Sequence, residues 1–433
     1  MSLTLTVHRG THQIGGTCIE IQHASGERLI LDAGRQLDAP EGANDVLPAS
    51  LDCNRPATVL ISHPHQDHWG MIEQLPASWP IWTGSKSAQL IAIPGELLRR
   101  PLTRTFMTWN SRSGRFTVGP FAVTPILTDH SAFDAYMLLI EADGKRILYT
   151  GDFRRHGRKS VLVERMIAKP PANIDVLIIE GTNLGTDKPV KTEQELEKDF
   201  VELFNRTKGR VFVGWSGQNI DRTVTLYRAA KRTQRTLVID LYTADVLDRV
   251  SEGIGLPHAG FPNLKVVVTK RLRSTYGSHG REDFIERMAR FGIAARKLVG
   301  GRHVIMLRRA LIPDYEKAGV VPNADDAYNF SMWNGYLSEP YHSAALEWCQ
   351  SGGSEVAYIH TSGHASPADL RAFTKALQPK AVIPVHGQAW DENTEGFGDV
   401  KRLSDGEHYA ISTSNLGSGL LWLKWPTTRI RRK

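Results

Sequence analysis

The chain has 433 residues and a formal net charge of +7 (pI ≈ 9.2), with 41% hydrophobic and 23% charged residues, a balance that excludes a disordered or fibrous protein. Nowhere does it hold the roughly 18 to 20 consecutive apolar residues of a spanning helix, so a helical membrane protein is excluded and no membrane partner is expected. The opening "MSLTLTVHRG" shows no charged leader before an apolar core, and the three cysteines are far apart outside any CxxC pair, so neither a signal peptide nor a disulfide framework nor a thiolate zinc ribbon is expected; a cytoplasmic location is.

Along the chain, "LILDAG" ends an apolar run in Asp32, a turn aspartate before Gly34. "ATVLI" is a β-branched run bounded by Pro56 and Ser62, which predicts a buried strand. "SHPHQDHWG" follows directly. In the extended chain leaving a strand, His63 and His65 point the same way, because side chains alternate with period two. "DHWGMIEQL" predicts a helix start that carries Asp67 and His68 on its first turn. Four donors can therefore converge at the mouth of a strand-to-helix loop, and neutral imidazole with carboxylate suits zinc or a similar ion.

Further donors recur at predicted strand ends. "FAVTPILTDH" is an alternating strand that delivers His130. "AYMLLIEADGKRILYTGDF" is a hairpin-like pair of runs joined at Asp143-Gly144 that delivers Asp152, where the preceding glycine allows a close backbone approach. "PKAVIPVHGQ" ends a buried strand in His386. Each of these alone reads equally well as a structural histidine or aspartate. With the cluster they make seven ligands, a number that suits two ions sharing one carboxylate and one water. "DVLIIEGTN" similarly ends a strand in an acid, Glu180, and "IHTSGHASPADL" carries Ser362 and His364.

The middle of the chain reads differently. "TEQELEKDFVELFNRTKGRVFVGW" and "IDRTVTLYRAAKRTQRTLVIDL" each predict helix then strand, the alternation of a parallel sheet. "SGQNIDR" (216–222) lies at a strand-to-helix turn, where backbone N–H groups favour a phosphate; a plain helix cap fits it as well. The aromatics of "FSMWNGYL" could stack bases or be buried in a wall between domains. Basic residues gather at 97–104, 153–159, 270–273, 307–309 and 429–433. Singly each run reads as a solvated face; together they raise the prospect of a polyanionic partner.

"HPHQDH", His130 and "TGDF" resemble the motifs of the metallo-β-lactamase superfamily, and Glu180, "SGHA" and "P-x-HG" resemble motifs A, B and C of its β-CASP branch of nucleases, to which RNase J belongs. The resemblance implies an α/β fold, an αββα sandwich with an inserted α/β β-CASP domain: sandwich at 1–185 and 348–433, insertion at 186–347. It implies that His63, His65 and His130 hold one divalent ion, Asp67, His68 and His386 a second, with Asp152 bridging and Asp32 supporting them from behind. Zinc fits the imidazole-rich set, with manganese the alternative. Asp67, His364 and Glu180 would be catalytic: Asp67 orienting a hydroxide shared by the ions, His364, held by Glu180, binding the scissile phosphate or protonating the leaving oxygen. Ser216, Asn219, Arg222, Ser362 and His364 would contact substrate.

RNA-directed members carry histidine at motif C and Artemis-like DNA nucleases valine, so His386 implies a ribonuclease acting on RNA, single-stranded in preference. A DNA nuclease of the same branch and a small-molecule metallo-hydrolase are the alternatives. Two departures from RNase J bear on this. An extra residue separates Ser216 from Asn219, and "HVIMLRRALIPDYEKAG" stands where RNase J has a Gly-rich phosphate loop, so internal cutting of RNA is expected rather than dependence on a 5′-phosphate. The chain also ends soon after motif C, so dimerisation through a C-terminal domain does not carry over, and a homodimer is left open.

Overall fold

Every second residue of the strand Tyr136–Ala142 belongs to one core, and Met137 and Leu139 between them to another: Leu138 and Ile140 face one way, Met137 and Leu139 the other. The same split divides Ile147 from Leu148, and Val176 and Ile178 from Leu177 and Ile179. These strands are buried on both faces, which explains why they read as continuous apolar runs. Full burial of each such side chain contributes about 1.5–3 kcal/mol.

The computed structural model describes residues 3–37, 46–97, 102–187 and 189–411. The basic tail 429–433 and residues 98–101 of the basic run 97–104 lie outside the described residues. Two sheets face each other. The first has seven strands, in spatial order His408–Ile411, Leu3–Arg9, Cys18–His23, Arg28–Leu31, Thr58–Ile61, Ile81–Gly84 and Phe106–Trp109. The second has six: Ala381–Pro384, Val176–Ile179, Lys145–Tyr149, Tyr136–Ala142, Phe121–Leu127 and Phe116–Val118. Leu5, Ile19, Leu31 and Leu60 of the first meet Phe121, Ile140, Ile147 and Ile383 of the second in one core. Helix Ser85–Leu97 covers the outer face of the first sheet through Ile91; helices Ser160–Ala168 and Pro367–Leu377 cover the second through Val163 and Phe373. This is an αββα sandwich.

A third sheet is wholly parallel, in the order Leu264–Val267, Thr236–Asp240, His303–Met306, Val211–Gly214, Ala327–Phe330 and Glu355–Ala357. Helix Glu193–Arg206 begins at Thr192 with a reciprocal capping box to Glu195 and packs with helix Ile220–Arg232 on one face of this sheet. Its last strand, Glu355–Ala357, lies beyond the boundary expected at 347. Helix Ser85–Leu97 also sends Leu90 and Ile93 into this third core, so it is shared by sandwich and insertion.

One expectation is corrected. The helix predicted from "DHWGMIEQL" is a single turn, Gln66–Trp69, followed by a 3₁₀ turn at Ile72–Gln74. At Gly70 the chain presses against Arg35, whose Cβ would lie 2.7 Å from any Cβ there, and the Trp69 indole donates to the Pro64 carbonyl at 2.9 Å, tying the turn back on itself. The hairpin joint at Asp143-Gly144 is as expected, both residues having positive φ (48° and 72°).

Candidate metal centre

Strand direction places the donors. Lys145–Tyr149, Val176–Ile179 and Ala381–Pro384 are mutually parallel, and Phe121–Leu127 runs the same way because it is two antiparallel steps removed. Their carboxyl ends share one edge of the second sheet, and from that edge come His130, Asp152, Glu180 and His386. The first sheet supplies Asp32 and His63 from the carboxyl ends of the parallel strands Arg28–Leu31 and Thr58–Ile61. Gly34 lets the "LDAG" turn lie against the ligand loop: a Cβ there would overlap the Asp67 carbonyl, and Ala33 N–H donates to the His68 carbonyl at 2.8 Å.

All seven side chains expected to hold ions converge. His63, His65, His130 and Asp152 form one group able to hold an ion, and Asp67, His68, Asp152 and His386 a second, with Asp152 common to both. The nearest oxygen of Asp152 is 3.6 Å from His63 Nε2, 3.1 Å from His68 Nε2 and 3.7 Å from His386 Nε2; His65 Nδ1 and His130 Nε2 are 3.1 Å apart. Atoms about 2.0–2.1 Å from a tetrahedral zinc stand roughly 3.3 Å from one another, so these spacings suit shared coordination. His63 Nε2, His68 Nε2, His386 Nε2 and both oxygens of Asp152 are buried without a hydrogen-bond partner. Leaving five such atoms unmade inside a protein costs about 1–3 kcal/mol each or more, a cost that a cation removes. The residues therefore fit a metal centre.

On His63, His68, His130 and His386 the opposite ring nitrogens are engaged, which turns the remaining ones inward. His130 Nδ1 donates to the Gly363 carbonyl at 2.7 Å, His386 Nδ1 meets Thr17 Oγ1 at 2.9 Å, and His63 Nδ1 lies 3.0 Å from Ser62 Oγ. His68 Nδ1 donates to Asp32 Oδ2 at 2.7 Å. Asp32 is wholly buried at φ 60° and also accepts from Ser62 N–H (2.7 Å), Ser62 Oγ (2.8 Å) and the Tyr149 hydroxyl (2.6 Å). It touches the ligands and not the ion space.

The two groups differ in charge. Burial, then neighbouring imidazoles, hold His63 and His130 well below the ordinary histidine range, and burial brings His65 to about 4. In the other group burial opposes a charge on His68, but Asp152, Asp67 and Asp32 outweigh it and raise its affinity for a proton. Burial likewise opposes the charge on Asp152, and His386, His68 and His364 keep its carboxyl well below the usual range. Neutral imidazoles face one half; in the other, burial also lowers His386, and only His68, between Asp152, Asp67 and Asp32, is drawn toward its charged form.

Glu180 is wholly buried, accepts from Phe153 N–H and Thr182 N–H (3.2 Å each), and meets His364 Nδ1 at 3.1 Å. Burial disfavours the imidazolium of His364, but Glu180 and then Asp152 raise its pKa to about 9. Its ring packs on His386 (5.7 Å between centroids) and His130 (5.3 Å).

The expected substrate contacts fare differently. Arg222 is fully buried, 3.1 Å from Glu193 and 3.0 Å from the Ser331 carbonyl, so it is an internal ion-pair residue and not a phosphate contact. Asn219 caps helix Ile220–Arg232, its side-chain oxygen accepting Arg222 N–H at 3.0 Å, as the plain-cap alternative holds. Ser362 is consumed by its own loop: its hydroxyl accepts from His364 N–H and the Asn183 amide (3.1 Å each). Ser216 is exposed beside a cavity of about 230 Å³ lined by Arg308, Tyr242 and Tyr341.

The basic run 153–159 is not a solvated face. Arg154 is fully buried, 2.6 Å from Asp221 and 3.6 Å from Asp129, while Arg158 pairs with Glu197 at 2.9 Å. This network, missed in the sequence, clamps the loop after Asp152 and the residue before His130 onto helix Ile220–Arg232. Its partners are 25 to 67 positions apart, and residue type alone carries no signal of such pairing.

A family model described as "Beta-lactamase superfamily domain" matches residues 27–238, and one described as "Zn-dependent metallo-hydrolase RNA specificity domain" matches 354–389. Ribonuclease J of Helicobacter pylori (strain ATCC 700392 / 26695) is 24% identical over 411 residues, covering 89% of this chain and 56% of the relative. Ribonuclease J of Sinorhizobium meliloti is 22% identical, covering 88% and 68%, and that of Mycobacterium tuberculosis (strain ATCC 25618 / H37Rv) 25%, covering 89% and 69%. The chain thus spans little more than half the length of the Helicobacter relative. A crystal structure of a protein of unknown function from Enterococcus faecalis V583 superposes with a TM-score of 0.74 at 21% identity, covering 94% of this chain and all of that one, a likeness of fold.

Proposed function

The chain belongs to the metallo-β-lactamase superfamily, in its β-CASP branch, and from that premise we propose that it is a metal-dependent ribonuclease that hydrolyses RNA phosphodiester bonds. One observation carries the reading: seven donors from one loop and three further strand ends share one volume, and His63, His68, His386 and Asp152 among them hold buried atoms with no partner. Its direction toward RNA is supported by His386 and His364, both inside the segment that matches the RNA specificity domain.

His63, His65 and His130 would hold one ion, Asp67, His68 and His386 the other, with Asp152 between them; the imidazole-rich set favours zinc, with manganese the alternative. When bound, such a pair supplies a nucleophile from water at neutral pH and relieves charge on the attacking and leaving oxygens. The protein's residues do the rest. Asp67 orients the attacking water and accepts its proton. Glu180 fixes the His364 tautomer with the proton on Nδ1, which leaves Nε2 to hold the scissile phosphate or protonate the leaving oxygen. Asp152 would be taken up in holding the ions, and Glu180, hydrogen-bonded to His364 Nδ1, is the carboxylate that sustains the imidazolium. Asp32 anchors His68.

In this reading the sandwich, expected at 1–185 and 348–433, would carry the centre, and the insertion, expected at 186–347 with Glu355–Ala357 added to its sheet, would form the wall above it. Single-stranded RNA is the expected substrate form, in the cytoplasm, with internal cutting because the Gly-rich loop of RNase J is replaced. Labelled RNA and DNA of equal sequence, each incubated with the metal-loaded protein, test the reading. Cleavage of RNA in preference, including circular RNA, is expected. Equal or greater cleavage of DNA overturns the assignment to RNA, and intact circles beside fully degraded 5′-monophosphorylated RNA overturn internal cutting.

A further inference from the structure

The stretch "FSMWNGYL" and the helix after it hold aromatic rings with two fates. Met332 and Leu337 turn into the core beneath the third sheet, whereas Trp333, Tyr336 and Tyr341 stay out of it at 61%, 38% and 47% exposure. Large exposed rings gain nothing for the fold by facing water, and these are not scattered. The Trp333 ring meets Tyr336 at 5.4 Å between centroids, Tyr336 lies over His342 at 5.3 Å and 30°, and Tyr341 meets His342 at 5.2 Å.

One end of this row opens on a basic surface. Tyr341 and the exposed Arg309 line two adjoining cavities, and the wider of these, about 540 Å³, also holds exposed Arg271. The Trp333 ring is held in place: a Cβ on Gly335 would lie 2.2 Å from Trp333 Cη2, so a glycine is what allows the indole to lie on the backbone.

We infer that Trp333, Tyr336, His342 and Tyr341, with Arg309 and Arg271 beyond them, form a track on which unpaired bases of a single RNA strand stack. The inference rests on the ribonuclease reading. Flat faces suit any base, guanidinium groups suit the phosphates between them, and a strand whose bases are paired presents no face to the rings. Recognition is thus for single-strandedness and not for sequence.

The test is binding, read by fluorescence anisotropy with the full metal-loaded chain and a labelled, phosphorothioate-linked oligoribonucleotide of mixed sequence that resists cleavage. Trp333→Ala and Tyr336→Ala should each weaken binding by roughly five- to a hundred-fold. Trp333→Phe should stay close to the unaltered chain, Trp333→Leu should behave as the alanine variant, and Gly335→Ala should weaken binding by displacing the indole. The same substitutions should leave binding of an abasic strand unchanged. Because Trp333 is exposed, unfolding midpoints of its variants should match the unaltered chain. Alanine variants that bind the strand normally overturn the track and leave the ribonuclease reading standing. Leucine equal to tryptophan, or an equal loss on the abasic strand, overturns base stacking. An unaltered chain that neither binds nor cuts RNA overturns both readings.

Discussion

The metal centre and the turn at Ser216–Arg222 are built alike, from polar residues at the carboxyl ends of strands, and they came out opposite. At the centre, five buried polar atoms have no partner within the protein. At the turn, Asn219 caps its helix and Arg222 is fully paired with Glu193 and Ser331. Single unpartnered buried atoms such as Trp109 Nε1 and Tyr328 Oη also occur elsewhere, so it is five of them gathered among convergent ligand side chains that points to a ligand. Residue type raises the candidates, and hydrogen-bond accounting separates them.

The contrast can be broken by substitution. Asp152→Ala should have the largest effect, removing the group shared by both ion sites; metal content should fall and turnover drop on the order of a thousand-fold or more. His364→Ala should keep its metal while cleavage slows by roughly a hundred- to ten-thousand-fold, measured as single-turnover rate beside metal content. Loss of metal in that variant would make His364 a ligand and reverse its assigned role.

On the other side of the contrast, Arg222→Ala should destabilise the fold by roughly 3 kcal/mol in denaturant unfolding, since buried Glu193 loses its nearer guanidinium and keeps only Arg154 at 3.7 Å and the Thr225 hydroxyl. Its affinity for RNA, measured on the folded fraction, should not fall selectively. The pH dependence has a definite sign. Burial opposes the charge of Glu193, but Arg222 and Arg154 lower its pKa from 4.5 to about 2, so its contribution is complete above pH 4.5 and is lost as the pH falls toward 2. Glu193→Gln should flatten that part of the stability profile; an unchanged slope would contradict the pairing.

Two smaller effects sharpen the comparison. Asp32→Asn should weaken metal affinity by about ten- to a hundred-fold, read by competition with a chelating dye, because His68 loses its orienting carboxylate. Asn219→Ala should cost about 1 kcal/mol of stability, as a lost helix cap does, with RNA binding unchanged.

The sandwich and the centre were legible because both depend on local pattern. The apolar runs at Thr58–Ile61, Val176–Ile179 and Ala381–Pro384 are strands, and the residues just past them are where open sheets present functional groups. His63, His65, Asp67 and His68 lie within six positions, so their convergence needed only the period of a strand and one turn. The basic run 153–159 misled because the same arginines serve water, phosphate or a buried carboxylate; Asp221, which claims Arg154, is 67 positions away. The helix start at Gln66–Trp69 is legible, but its end after one turn is not, because the contact of Arg35 with Gly70 joins segments with no shared pattern. The outward set of Trp333 depends likewise on a packing detail, the bare backbone of Gly335.

The account turns on two ions sharing one carboxylate. Elemental analysis of the purified chain, paired with RNA cleavage on the same preparation as metal is withdrawn by a chelator and restored, tests it most directly. Close to two divalent ions per chain at full activity, with activity lost on removal and regained on return, is the predicted result. A single ion per chain that persists at full activity would contradict it.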